Sequence, residues 1–306
     1  MLANKLNYGD TIGVVGVANS LDTEKMKECF FKAEKFLQRK GFKIKRGKYV
    51  LEDFYGSAGT REQKAEDFIN MFLDKEVKAI ICLDGGETCN TFIDLLDFNV
   101  IKENPKIIMG YSDITVLLQM LYEKVGLVGF HGYNFINFGE SEAEERFKEF
   151  ESVFVNKKLS RFIKGEKKFI RNGNAAGKSM GTNLATMMYL IGTEYLPDMQ
   201  DKILFMESLR TSPNECQRRF AHLKQLGIFD KVNGIVIGYN FDLQKNGNTY
   251  PQMEDILMEY TKEYSFPIIK CDDFGHKITN CIIPIGCETV INSADKKVDI
   301  VEEFLN

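Results

Sequence analysis

A few side chains in this 306-residue sequence have the type and setting for chemistry. There are three histidines, His131, His222 and His276, so an imidazole mechanism has three candidates. His222 lies within a helical pattern, Arg219-Phe-Ala-His-Leu-Lys224, and reads as a helix-surface or core-edge residue. His131 ends Gly129-Phe-His131 and could line a pocket or bond a loop. His276 sits in the polar stretch Cys271 to Asn280, between two apolar segments. A loop histidine on a rigid scaffold is the best candidate for a general base. Cys271, His276 and Cys281 are metal-ligating types at even spacing, but no Cys-x-x-Cys pair accompanies them. Ser112 stands in Lys106-Ile-Ile-Met-Gly-Tyr-Ser-Asp-Ile-Thr115. An apolar run leads into it and a helical pattern follows, with Ile114, Leu117, Leu118 and Leu121 at helix spacing. That is the setting of a nucleophile elbow, although Ile114 stands where the second glycine of Gly-x-Ser-x-Gly would be. Serine is also a favoured helix N-cap, so both readings are open. Glu207 ends the apolar run Ile203 to Met206, where it could orient a histidine or cap the next segment.

The elements around these residues alternate. Thr11 to Ala18 reads as a buried strand, and its glycines do not make Gly-x-Gly-x-x-Gly. Asp22 to Lys40 is an amphipathic helix with Met26, Cys29, Phe30, Ala33, Phe36 and Leu37 on one face. A charged strand, Lys43 to Val50, and a helix, Thr60 to Lys75, follow. Ala79 to Leu83 is unbroken and apolar, as buried parallel strands are. Asp84-Gly-Gly-Glu-Thr88 begins at its C-terminal end, the edge where open α/β sheets hold ligands; a plain tight turn is the other reading. Helices are predicted over Thr88 to Leu96 and Asp113 to Lys124, with a strand over Leu127 to Phe130. This is the pattern of a doubly wound parallel sheet through about residue 137.

Residues 138–174 differ: a charged helix, Ser141 to Phe154, then a basic, Gly/Asn-rich run without periodicity, read as the crossing between 1–137 and 175–306. Beyond it come a helix (Thr182 to Ile191), a strand (Lys202 to Met206) and a helix opened by the capping box Ser212-Pro-Asn-Glu215. Strands are predicted over Gly234 to Gly238, Pro267 to Cys271 and Cys281 to Asn292, and a helix over Gln252 to Tyr264.

The net charge of −4 gives no basic face for nucleic acid or anionic membrane. No apolar run approaches the ~20 residues that span a bilayer, and Met1 to Asn7 lacks the apolar core of a signal peptide. Seven cysteines without paired spacing fit a reducing compartment, so the cytoplasm is the default location.

Taken together, Leu6 to Gly13, Leu83-Asp-Gly-Gly86, Gly110-Tyr-Ser-Asp-Ile-Thr115, Gly181-Thr-Asn-Leu-Ala-Thr186, Ile203 to Glu207 and Phe274-Gly-His276 with Ile283-Pro-Ile-Gly286 resemble, in order and over nearly the whole chain, the serine carboxypeptidase family of LD-carboxypeptidases and microcin C immunity peptidases. The resemblance implies an N-terminal flavodoxin-like domain (1–137) and a C-terminal β-rich α/β domain (175–306), as a homodimer, with no cofactor and no metal. It implies Ser112 as nucleophile, His276 as general base, Glu207 as the carboxylate orienting it, and the N–H groups of Gly86 and Asp113 as the oxyanion hole. The substrate would be a small peptide or muropeptide, cleaved at an amide beside a free carboxylate. Ile203 to Val232 and Gly192 to Pro197 are closer to the microcin-immunity branch, whose substrates are peptidyl nucleotides, and Glu87-Thr-Cys89 replaces the Tyr-Gly usual in murein enzymes. That branch stacks a base on a tryptophan of a longer crossing loop. This chain has no tryptophan, which leaves Tyr195, Phe162 or Phe169 to stack or simply to pack. Nothing in the sequence separates Arg161, Arg171, Arg210, Arg218 and Arg219 as partners for the substrate carboxylate. A non-catalytic binder on the same scaffold would have no need of Ser112, Glu207 and His276 together.

Overall fold

The structure, a computed structural model, describes residues 1–247 and 251–306. Thirteen strands are described: β1 (Thr11–Val15), β2 (Lys43–Arg46), β3 (Val77–Cys82), β4 (Ile107–Gly110), β5 (Gly129–His131), β6 (Lys167–Arg171), β7 (Asn174–Met180), β8 (Lys202–Ser208), β9 (Gly234–Asn240), β10 (Ile268–Gly275), β11 (Ile283–Ile285), β12 (Glu288–Asn292) and β13 (Lys297–Ile300). They form a six-stranded sheet, in the order β11-β5-β4-β3-β1-β2, and a seven-stranded sheet, in the order β13-β12-β7-β8-β9-β10-β6. The first sheet is parallel apart from β11, and the second is mixed. The α/β class with a parallel first sheet and a β-rich second half is therefore as the sequence predicted.

The helices are α1 (Glu24–Arg39), α2 (Arg61–Leu73), α3 (Phe98–Glu103), α4 (Thr115–Val125), α5 (Ala143–Phe154), α6 (Leu184–Met187), α7 (Pro213–Gln225), α8 (Ile228–Lys231), α9 (Phe241–Lys245) and α10 (Met253–Tyr260). Their ends follow side-chain chemistry. Thr60 and Gln63 form a capping box at α2, as Ser212 and Glu215 do at α7. Gly126, in the left-handed region, ends α4. α4 is buried all round from Thr115 to Leu121, not on one stripe, because its outer face packs against the second half of the chain. One apolar cluster runs from Ile114, just before α4, and Leu117 and Leu118 on it, to Met180, Leu184 and Phe205 around β7, α6 and β8. It fixes the two sheets relative to each other, and so fixes what each contributes to the cleft between them.

Four local expectations need correction. Thr88 to Leu96 is two single 3₁₀ turns, and the helix comes later, at Phe98, where the Asp97 side chain caps it. Residues 156–174 contain β6, an edge strand antiparallel to β10. Its alternation was hidden by lysines, which an edge strand keeps in water. The 281–292 strand is two strands: Gly286 turns the chain, β11 joins the first sheet beside β5 and β12 joins the second. Thr182 to Ile191 holds one α turn and one 3₁₀ turn. Among the described residues, no helix is long and apolar enough to cross a membrane.

Candidate active site

β4 ends at Gly110 and the chain turns at once into a 3₁₀ turn, Ser112–Ile114, continuous with α4. Ser112 takes φ of 65°, the left-handed region that a residue with a Cβ occupies at a cost. No side-chain capping bond is made at this helix start. The hydroxyl points instead across the cleft, where Ser112 Oγ and His276 Nε2 lie 2.9 Å apart. The cap reading of Ser112 is thereby set aside in favour of the corner geometry.

His276 directly follows β10, at the first position of a turn. Its Nδ1 lies 2.7 Å from Glu207 Oε2. The carboxylate side therefore carries the Nδ1 proton and leaves Nε2 free to accept from Ser112. Glu207 is fully buried near the end of β8, and its second oxygen accepts from Asn183 Nδ2 at 2.8 Å. Burial alone would push this carboxyl's pKa up. The adjacent His276 and the hydrogen bonds from His276 and Asn183 outweigh it and hold the carboxyl below its ordinary range. The alternative reading of Glu207, as a cap for the next helix, does not apply: Ser212 caps α7.

Gly86 and Asp113 flank the serine. A Cβ on Gly85 would come within 2.9 Å of Ser112 Cβ, and one on Gly86 (φ 153°) within 2.3 Å of Asn19 Oδ1. Only a Gly-Gly pair brings this backbone so close to the hydroxyl. Asp113 lies in the first turn of the helix, where backbone N–H groups have no intrahelical acceptor. Its own side chain is buried and turned away, accepting from Cys89 N at 2.8 Å.

The cleft over Ser112 has a volume of about 570 Å³. Its walls include Asn19, Met26, Tyr189, Arg210, Arg219 and Lys277. Arg219 is already engaged by Thr211 Oγ1 and Glu215. Arg210, exposed and with φ of 52°, makes no ion pair among the described residues. Arg161 pairs with Glu145, and Arg171 binds the Thr261 and Phe266 carbonyls, both away from the cleft. Tyr189, half exposed on the cleft wall, was not singled out from the sequence. Of the three aromatics that were, Phe162 is buried against Phe205, Phe169 belongs to β6, and Tyr195 lies under the Lys124 ammonium.

The other histidines sit apart from the hydroxyl. His222 is exposed on α7. His131, which could have lined the pocket, is fully buried behind it. Its Nδ1 is 2.7 Å from Thr182 Oγ1, and burial lowers its pKa to about 4. Cys271 and Cys281 are buried thiols, each with its pKa pushed up by burial. A serine hydroxyl, an imidazole and a buried carboxylate in this order can carry out acyl transfer: the ring takes the hydroxyl proton as the oxygen attacks a carbonyl.

Comparison with known proteins points the same way. Residues 12–132 match the LD-carboxypeptidase N-terminal domain, and residues 176–291 match the LD-carboxypeptidase C-terminal domain. The microcin C7 self-immunity protein MccF of Escherichia coli is 30% identical, over 100% of this chain and 97% of its own. The probable murein peptide carboxypeptidase of Bacillus subtilis is 28% identical, over 95% of this chain and 91% of its own. The wild-type apo structure of MccF superposes with a TM-score of 0.89 at 28% identity, covering 100% of both chains. An MccF-like protein from Bacillus anthracis does so with 0.83 at 30% identity, covering 97% of this chain and 98% of its own.

Proposed function

The chain belongs to the LD-carboxypeptidase family and is a serine-type carboxypeptidase, and from that premise we propose that it hydrolyses an amide bond beside a free carboxylate in a muropeptide or related small peptide conjugate. The observation that carries the reading is the Ser112–His276–Glu207 relay opening into a cleft with an unpaired arginine on its wall. Ser112 Oγ attacks the scissile carbonyl while His276 Nε2 takes its proton. Glu207 keeps the ring in the Nδ1–H tautomer and supports the imidazolium. The carbonyl oxygen, now negative, is held by the N–H groups of Gly86 and Asp113, each contributing ~3 kcal/mol to the transition state. His276 passes the proton to the leaving nitrogen, the C–N bond breaks, and the acyl group remains on Ser112. Water, deprotonated by His276, then releases the acid and restores the serine.

Arg210 is the residue proposed to hold the substrate's free carboxylate. It is the arginine of the cleft without a competing carboxylate, and its fork can bind bidentately.

Peptidyl-nucleotide conjugates are a second reading, favoured by the similarity to MccF over the whole chain. Solved MccF structures hold aspartyl sulfamoyl adenosine and adenosine monophosphate. The half-exposed Tyr189 on the cleft wall supports this reading as an aromatic on which a base could stack. The test is release of free D-alanine from an L,D-linked muropeptide tetrapeptide by the wild type beside Ser112→Ala. Release by the wild type alone supports the murein reading. If a nucleotide-bearing conjugate is cleaved in preference to its bare peptide, and the tetrapeptide is untouched, the second reading replaces it.

A further inference from the structure

Lys64 is 1% exposed, on the inner face of α2, yet no carboxylate among the described residues lies within ion-pair distance of it. Its ammonium donates to neutral oxygens: Ser57 Oγ at 2.8 Å, Thr91 Oγ1 at 2.9 Å, Thr88 O at 3.0 Å and Thr88 Oγ1 at 3.3 Å. A buried ammonium without a counter-ion is costly even when hydrogen-bonded. Methionine or leucine at this position would fill the same volume without that cost, so the charge calls for an explanation.

The surroundings supply one. Three of the four bonds go to the 88–91 turn, which directly follows Gly85, Gly86 and Glu87. The same turn is held from its other side by the buried carboxylate of Asp113, next to Ser112, which accepts from the backbone N–H of Cys89 at 2.8 Å. Upstream, Asn19 fixes the glycine pair: its N–H donates to Gly85 O at 3.2 Å and its Oδ1 accepts from Glu87 N at 3.1 Å. Ser57, the fourth partner, is tied back to Ala18 O beside Asn19. The ammonium thus joins two loops at the C-terminal edge of the first sheet, reaches a third through Ser57, and sits across the 88–91 turn from the Asp113 carboxylate.

We propose that Lys64 is a positioning residue for the oxyanion pocket: with Asp113 it clamps the 88–91 turn and so fixes the direction of the Gly86 N–H beside Ser112. The proposal rests on the reading of Gly86 as an oxyanion donor. A donor aimed at the developing oxyanion contributes to the transition state and little to substrate binding. Loss of the clamp should therefore lower kcat and leave substrate affinity alone, whereas a merely structural lysine would alter both or neither.

The experiment compares wild type and Lys64→Met in two assays. One is inactivation by a serine-directed phosphonate, whose adduct is tetrahedral. The other is calorimetric binding of the muropeptide tetrapeptide to each protein carrying Ser112→Ala. We expect inactivation and kcat to fall about 10²-fold, with binding changed less than about twofold. Equal inactivation of folded Lys64→Met, or a parallel loss of binding, overturns the proposal. If Lys64→Met does not fold, Thr91→Val, which removes one acceptor of the ammonium, is read by the same two assays: slower inactivation with unchanged binding supports the clamp, and unchanged inactivation overturns it. If the wild type itself is not modified at Ser112, the reading of the site falls and the role of Lys64 falls with it.

Discussion

His131 should make this protein acid-labile. It is fully buried behind Glu207, its pKa lowered to about 4 by burial, against about 6.5 in an unfolded chain. The folded state holds the ring neutral while the unfolded chain binds a proton, so stability rises with pH across the window between the two values. The stabilisation is fully present above pH about 6.5 and is lost as the pH falls towards 4. For these two pKa values, linkage gives a loss on the order of 2 kcal/mol between pH 7 and pH 4.5 from this one group. Buried carboxyls whose pKa is raised, such as Asp84 and Glu149, pull the other way. They are common to wild type and mutant and cancel in the comparison. His131→Asn keeps a polar atom near the position of Nδ1, which meets Thr182 Oγ1. Urea unfolding of both proteins at the two pH values is the assay. With m of about 3 kcal/mol/M, the midpoint of the wild type should drop by about 0.7 M more than that of His131→Asn. Parallel pH dependence in the two proteins would refute the argument that His131 is held neutral by burial.

Glu207→Gln should leave substrate binding in place and lower kcat about 10³-fold, through the wrong histidine tautomer; steady-state kinetics with unchanged folding by circular dichroism checks this. Arg210→Gln should raise KM ten- to hundredfold, equivalent to roughly 1.4–3 kcal/mol of lost carboxylate binding, with kcat within about threefold. A fall in kcat at constant KM would move the carboxylate contact elsewhere. Gly85→Ala places a methyl against the Ser112 side chain; it should lower the rate of phosphonate inactivation at least tenfold while costing about 1–3 kcal/mol of stability. Leu118→Ala, in the cluster between the sheets, should cost about 2–5 kcal/mol in urea unfolding.

Much of this was legible because its signals are local. The apolar run into Gly110, the helix spacing after Ser112 and the strand before Glu207 are each read within ten residues. The capping boxes at Thr60 and Ser212 are equally local. The partnership of Ser112 with His276 is not: 164 positions separate them, and the sequence alone leaves Ser112 with the N-cap alternative. What failed also has physical causes. β6 is an edge strand, so its polar residues carry no burial pattern. β11 and β12 read as one strand because Gly286 redirects the chain between two sheets, a choice made by tertiary packing. Of the two readings of His131, pocket wall or loop bond, the loop bond is the one made, to Thr182 Oγ1, because the second half of the chain covers that strand end. Arg210, Tyr189 and Lys64 could not be separated from other arginines, tyrosines and lysines by type or spacing. Only the cleft wall marks out Arg210 and Tyr189, and only the lack of an acidic partner among the described residues marks out Lys64.

In the mechanism proposed above, Ser112, activated by His276 and Glu207, forms an acyl-enzyme. The most direct measurement is intact-mass and peptide mass spectrometry after treatment with a serine-directed phosphonate, on wild type, Ser112→Ala and His276→Ala. One adduct is expected, on the peptide containing Ser112, in the wild type alone. An adduct on another residue, or labelling of His276→Ala at the wild-type rate, would contradict it.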